Sequence, residues 1–402
     1  MQTLFNIEQF IREHVTGRKE SLLQVDFHRC HEALQKEISG KKVLVIGAAG
    51  TIGSSFVKAM LPYKPAKLVV ADINENGLTE LVRDCRSMPD RSLPADFKSY
   101  PVNFGDPVFR KIFLKEGPFD IVANFAAHKH VRSEKDVFSI EAMIDNNVIR
   151  AKKFLDLLLE YPPQHFFCVS TDKAANPVNI MGASKKLMEE VILAYSNSFK
   201  ITTARFANVA FSNGSLLAGF IERIMKQQPL SCPADVRRFF VSPMESGQIC
   251  LAACVLGKSG EIFFPKLEEK EMVNFADIVP PFLSKLGYET LVCNSEQEAR
   301  ECAGSLTGRQ YPVYFFTSDT SGEKLYEEFY TGQESLDLDR FHALGVIQNA
   351  ARRSRAELDG IIAELETMFS GQSEKADVVL LLNRLLPGFQ HIETGLNLDQ
   401  KM

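Results

Sequence analysis

No segment of this chain approaches the roughly 18 uninterrupted apolar residues that a membrane-crossing helix needs. The opening MQTLFNIEQFIREHV places acids within its first ten residues and no long apolar core behind them, so it reads as neither a signal peptide nor a membrane span. A basic surplus is also missing. The formal net charge of −5 leaves no broad positive field, which excludes nucleic acid as the main partner but leaves room for small anions, whose sites are local. The eight cysteines, at 30, 85, 168, 232, 250, 254, 293 and 302, form no C-x-x-C pair and no His/Cys spacing of a zinc site. They read as reduced thiols, and a cytoplasmic protein is expected. There is no internal repeat and no low-complexity segment.

What is present is ordinary for a soluble globular enzyme of two or three domains: 402 residues, 45 % hydrophobic and 24 % charged. Residues 1–40 carry Phe5, Phe10, Ile11, Leu34 and Ile38 at helix-compatible spacing, which predicts a helical extension rather than a domain. From Lys42 strands and helices alternate: KVLVIG, a helix from Ser54 to Leu61, KLVVAD, a helix from Asn76, FKSYPVNF, a helix near Val108, FDIVANFA, a long helix from Ile140 to Leu159, and HFFCVS. That alternation predicts an α/β fold with a Rossmann-type, doubly wound parallel sheet and right-handed crossovers. Ile201 to Val209 and Glu261 to Pro265 are further strand candidates. The expected organisation is a helical extension over 1–40 and a dinucleotide-binding domain over 41–210, its sheet also taking the strand at 260–266. A smaller substrate lobe with a helical tail would occupy 211–402. Leu291 to Tyr311 lacks periodicity and is expected to be a loop or short helical insert, while Ala351 to Phe369 and Asp377 to Leu386 read as amphipathic helices.

The turn Gly47-Ala-Ala-Gly50-Thr51-Ile52-Gly53 follows the first strand and opens a helix, the context in which a glycine-rich loop cradles a dinucleotide. Small residues there permit a tight turn and close backbone approach, and the helix amino terminus faces the pyrophosphate. Asp72 ends the second strand about twenty residues on, where a carboxylate accepts from ribose hydroxyls and repels a 2′-phosphate, so NAD is expected over NADP. Asn103, after the third strand, is either an adenine contact or a turn residue.

The richest stretch is FCVSTDKAANPVNIMGASK, Phe167 to Lys185. Its apolar start reads as a buried strand, so Thr171, Asp172 and Lys173 fall at the carboxyl end, where open α/β sheets place their chemistry. A neighbouring opposite charge holds a carboxylate ionised, and burial eases a lysine's deprotonation; the alternative is a surface ion pair of little energetic consequence. Met181-Gly-Ala-Ser-Lys185 then begins a helix.

These motifs resemble the extended short-chain dehydrogenase/reductase family, and within it the CapD-like polysaccharide-biosynthesis group of UDP-N-acetylglucosamine 4,6-dehydratases. The resemblance spans roughly Glu20 to Glu328. It rests on GAAGTIGS at 47–54, NFAAHKHV at 124–131, STDKAANPVNIMGASK at 170–185, RFANV at 205–209, NGSL at 213–216, RFF at 238–240 and GEKLYEE at 322–328. In short-chain dehydrogenases the helix carries Tyr-x-x-x-Lys; here Met181 holds the tyrosine's place, as in some members of the group, and a thioether can neither donate nor accept a proton at neutral pH.

The resemblance implies NAD as cofactor and conversion of UDP-N-acetylglucosamine to a 4-keto-6-deoxy sugar by C4 oxidation, loss of water across C5 and C6, and hydride return to C6. The implied catalytic set is Thr171, Asp172, Lys173, Met181 and Lys185, with Lys173 at the C5 proton and Asp172 at the C6 hydroxyl, or the reverse. Lys185 is expected on the nicotinamide ribose, and Ala126 and Lys129 join the glycine loop, Asp72 and Asn103 around the cofactor. Lys129, Asn208, Ser212, Ser215 and Arg238 are expected on the substrate, with Arg237 as rival to Arg238. His128 and His130 flank Lys129 without an acidic partner and read as packing or cofactor contacts, so no metal is expected. A homo-oligomer is expected from the family, with extension and tail packed on the body or on another subunit. The chain departs from the pattern at Thr320 and Ser321, where an arginine and a proline commonly precede Gly-Glu-Lys, and in a longer stretch from Leu291 to Ser318. Rival readings are a 4-epimerase or a 5,6-ene-forming dehydratase on the same fold, and a non-catalytic NAD-binding regulator.

Overall fold

Runs such as Val43 to Ile46 and Leu68 to Ala71 are apolar on both faces, so they can leave water only as inner strands of a sheet covered on two sides. The computed structural model, which describes residues 5–88, 93–306, 308–318 and 328–393 apart from the side chain of Arg132, places them there. Nine strands form the main sheet: β1 (Lys42–Ile46), β2 (Lys67–Asp72), β3 (Asp96–Pro101), β4 (Ile121–Asn124), β5 (His165–Val169), β6 (Ile201–Ala204), β7 (Glu261–Pro265), β8 (Leu336–Asp337) and β9 (Leu344–Ile347). Their order is β8-β9-β7-β6-β5-β4-β1-β2-β3. Strands β1 to β7 are parallel, and the direction of winding reverses between β1 and β4. That switch point opens a crevice at the carboxyl ends, the place where such sheets bind ligands.

Three local expectations are corrected. The stretch from Leu291 to Tyr311 is not a loop: Glu289–Cys293, a helix at Glu296–Gly304 and Gln310–Phe316 form a strand-helix-strand unit, whose strands join Leu230–Pro233 in a three-stranded parallel sheet. Its helix buries only Ala299 and its edge strand buries only Cys293, so neither carries an apolar stripe to read. The tail is not purely helical, since β9 pairs antiparallel with β7 and β8 with β9; strands of four and two residues are too short to show a period. The long helix expected to Leu159 is Val137–Ile144, a π turn at Asp145–Ile149, and Arg150–Glu160.

The described residues form two apolar cores. The larger surrounds the nine-stranded sheet and takes in the tail helices Arg355–Ser370 and Lys375–Leu385 through Leu358, Leu365, Val378 and Leu382. The smaller holds the lobe together around Phe211, Phe220, Leu230, Phe282 and Val313. The amino-terminal extension bridges both, with Phe10, Ile11 and Val15 in the smaller core and Leu23, Leu34 and Ile38 in the larger. Arg18 forks onto Glu245, both contacts at 2.9 Å, and the buried Asp26 carboxylate accepts from the backbone N–H groups of His342 and Ala343 at 2.6 and 2.8 Å. Extension and tail thus pack on the body of their own chain. Among the described residues no helix is long and apolar enough to cross a membrane.

Candidate functional site

The turn after β1 is built for close approach. Gly47 sits at φ +74°, and a Cβ there would stand 2.5 Å from the Ala126 nitrogen; one on Gly53 would stand 2.2 Å from the Gly47 carbonyl oxygen. The helix that follows, Thr51–Met60, therefore packs against its own loop with its amino terminus open to the crevice. Asp72 holds this loop as well as facing the cavity: one carboxylate oxygen accepts from the Ala49 N–H and the other from the Asn74 N–H, both at 2.9 Å. Each oxygen keeps a further lone pair for a ribose hydroxyl. Asn103 accepts from the Gly105 N–H at 2.8 Å, which is turn chemistry, and still lines the cavity. That cavity, of about 500 Å³, collects Gly47, Gly50, Thr51, Ile52, Gly53, Asp72, Asn103, Ala126 and Lys129 in one wall-to-wall groove. Among the described residues its lining carries the Asp72 carboxylate and, of lysines and arginines, Lys129 alone, and a carboxylate at the end of β2 repels a 2′-phosphate.

At the end of β5 a tight turn gathers the proton-bearing groups. Asp172 is 4 % exposed, and its Oδ1 accepts from Thr171 Oγ1 at 2.7 Å, from the Lys173 N–H at 2.9 Å and from Lys173 Nζ at 3.2 Å. Among the described residues Oδ2 takes no hydrogen bond, which leaves it for a substrate group. The next helix, Ile180–Leu193, is capped by Asn179, whose side chain accepts from Gly182 N–H, and by the buried carboxylate of Glu134, which accepts from Met181 N–H at 2.9 Å. Met181 is buried. Lys185 Nζ donates to the Val169 carbonyl at 2.7 Å, and burial pushes its pKa below the usual lysine range against the opposing pull of Cys168 and Glu189. Lys185 thus fixes the end of β5, and it does not line the dinucleotide cavity.

The substrate set is more dispersed. Lys129 Nζ donates to the Asn213 carbonyl at 3.0 Å, and partial loss of hydration lowers its pKa from the usual lysine value. Asn208 lies in a two-residue strand paired parallel with Phe240–Val241, not in a continuation of β6. Ser215 spends its hydroxyl as the cap of the helix Leu216–Met225, accepting from Ala218 N–H at 3.3 Å. Ser212 is buried, its N–H turned to the Val209 carbonyl. Arg238 is buried and donates to the Arg237 carbonyl at 2.9 Å, whereas Arg237 is exposed. Thr320, Ser321 and residues 322–327 of the GEKLYEE motif lie outside the described residues; Glu328 accepts from Asn176 Nδ2 at 2.8 Å. Burial, with Arg150 nearby, lowers the pKa of His128 against Asp145.

Sequence reasoning gave no role to several groups that hold the site. Arg205 is wholly buried and forks onto Glu189 (2.8 and 2.8 Å) and onto Glu334 (3.0 and 2.9 Å), while Ser170 donates to Glu189 at 2.6 Å. The end of β5, the Lys185 helix and the tail therefore meet at one guanidinium. Asn147 accepts from His128 N–H and donates to the His128 carbonyl, both at 2.9 Å, and also donates to Ser184 at 3.1 Å. An Asn-Asn pair inside an apolar helical run was the available signal for Asn147; nothing local marks the partners of Arg205.

A family model described as "Polysaccharide biosynthesis protein" matches residues 43–349. A protein of Methanocaldococcus jannaschii, described as an uncharacterized membrane protein, is 31 % identical over 76 % of this chain and 85 % of its own length. UDP-N-acetylglucosamine 4,6-dehydratase (inverting) of Campylobacter jejuni is 27 % identical over 61 % of this chain and 73 % of its own. Two other curated relatives are longer, and the chain spans about half of each, 51 and 49 %. Among solved structures, a double mutant of DesIV, a dTDP-glucose 4,6-dehydratase of Streptomyces venezuelae with NAD and DAU bound, superposes with a TM-score of 0.55 at 18 % identity, covering 73 % of this chain and 89 % of that one.

Proposed function

Because the chain belongs to the polysaccharide biosynthesis protein family, we propose that it is a nucleotide-sugar 4,6-dehydratase acting on UDP-N-acetylglucosamine. The observation that carries this reading is the Thr171-Asp172-Lys173 turn at the end of β5, set beside a helix whose residue 181 bears no proton. The cofactor is NAD, held by the Gly47–Gly53 loop, the Thr51 helix terminus and Asp72. When bound it supplies an acceptor for the C4 hydride and gives the same hydride back at C6.

The protein's own work is proton handling and position. Thr171, whose hydroxyl already donates to Asp172, passes the C4 hydroxyl proton toward the carboxylate, a task Met181 cannot perform. Once C4 is a carbonyl, the C5 proton is acidic. One member of the Asp172-Lys173 pair takes that proton while the other delivers one to the departing C6 hydroxyl; the proton held since the C4 oxidation is then given back to C5 as C6 is reduced, so the pair ends with the proton count it began with. Lys185 anchors the strand end. Arg238 and Lys129 are the cations assigned to the diphosphate and sugar.

A 4-epimerase acts at C4 alone and has no use for proton exchange at C5 and C6, the role proposed for Asp172 and Lys173. Proton NMR of the purified protein with UDP-N-acetylglucosamine, without added cofactor, separates the readings. A new C6 methyl doublet beside a 4-keto or hydrated carbon is expected; vinyl protons, a C4-inverted sugar or an unchanged spectrum would each overturn the assignment. A second outcome concerns the loop: Gly47→Ala should strip the protein of NAD, because the added Cβ meets the Ala126 backbone and the φ is wrong for an L side chain. Measuring NAD released on denaturing the purified variant checks it.

A further inference from the structure

The turn from Ser212 to Ser215 belongs to the lobe, yet its contacts fall on both walls of the dinucleotide cavity. The Asn213 N–H donates to Thr51 Oγ1 at 3.0 Å, on the glycine-loop side. Its carbonyl accepts from Lys129 Nζ, on the loop after β4. Gly214, at φ +75°, lies so close to His130 that a Cβ would stand 2.9 Å from the ring. At the near end Phe211, at φ +53°, is seated in the lobe core against the rings of Phe10 and Phe282. Asn213, Gly214, Thr51, Lys129 and His130 all line the same cavity. Both bonds tie the lobe's turn to loops of the dinucleotide-binding domain.

We infer that the Asn213-Gly214 turn is a latch across the cofactor cleft, with Thr51 and Lys129 as its catches. It governs the passage of the dinucleotide in both directions. The inference rests on the dinucleotide reading of the cavity and adds to it a kinetic role for positioning residues. Thr51 serves the dinucleotide through the backbone at the helix terminus, so losing its hydroxyl opens the cleft more often and leaves that contact in place. Entry and exit then speed up together and the affinity stays put. A residue that simply touches the cofactor behaves differently, since its loss speeds exit alone.

The chain has no tryptophan to report binding by energy transfer, so NADH is followed by its own fluorescence in stopped flow, on protein first freed of the NAD it carries. Thr51→Val keeps the side chain's shape and the helix terminus and removes the acceptor. It is expected to raise the association and dissociation rate constants alike, by roughly three- to tenfold, the scale of one hydrogen bond. The Kd should move by less than about twofold, and Thr51→Ser should keep the parent rates. Gly214→Ala, which deletes no polar group, is expected to act in the same direction. A rise in the dissociation rate alone, matched by the Kd, or no change in either rate, overturns the latch. A parent protein that takes up no NADH overturns the cofactor reading and the latch with it, and is recognised because the parent itself fails.

Discussion

Asp172→Asn and Lys173→Met are each expected to lower the rate of product formation by a factor on the order of 10²–10⁴ or more, with NAD still bound. The geometry explains why neither residue can cover for the other. Asp172 Oδ1 is shared by Thr171 and by both nitrogens of Lys173, so the carboxylate is fixed and only Oδ2 is left to meet substrate. Asparagine keeps the shape but cannot carry a proton between C5 and the C6 hydroxyl. Methionine keeps the length of Lys173 and removes its ammonium. Both positions lie apart from the groove that collects the glycine loop and Asp72, so cofactor content should match the parent. Product assay beside NAD released on denaturation gives the two readouts. Full turnover in either variant would remove that residue from the mechanism.

Arg205→Met is expected to cost about 3–5 kcal/mol of stability at neutral pH, the scale for breaking a buried ion pair by removing one partner. The guanidinium is wholly buried between Glu189 and Glu334, and without it two carboxylates are left facing each other. For Glu189 burial is the largest single influence and raises its pKa, but Arg205, Lys186 and Ser170 together outweigh it and hold the folded value below the usual range. A depressed folded pKa stabilises above the unfolded pKa and ceases to do so as pH falls through the folded one. In the variant the uncompensated carboxylates invert that, so the gap between parent and variant should narrow in acid. Urea midpoints at neutral and acid pH measure both effects. An unchanged midpoint at neutral pH would mean that the network contributes nothing net.

Most of the sheet could be read from the chain because inner parallel strands are continuous apolar runs, and Val43 to Ile46 or Phe166 to Val169 admit few other fates. The glycine loop was legible for the same reason: Gly47 and Gly53 stand where a Cβ would strike backbone. What escaped was set by distance along the chain. Glu334 lies 129 residues from Arg205, and no spacing rule joins them. Glu134 caps the Met181 helix from another loop, and Ser215 reads equally well as a substrate contact or a helix cap until the helix is seen. The strand-helix-strand unit after Tyr288 was hidden by its own exposure, since a half-solvated edge leaves no hydrophobic pattern.

The central claim is that the hydride leaves C4 and returns to C6 on a cofactor that stays with the protein. UDP-N-acetylglucosamine deuterated at C4, incubated without added NAD, tests this by proton NMR and mass of the product. A CH2D group at C6, with the deuterium retained in the molecule, is the predicted result. Deuterium still at C4, or an unlabelled C6 methyl group, would contradict it.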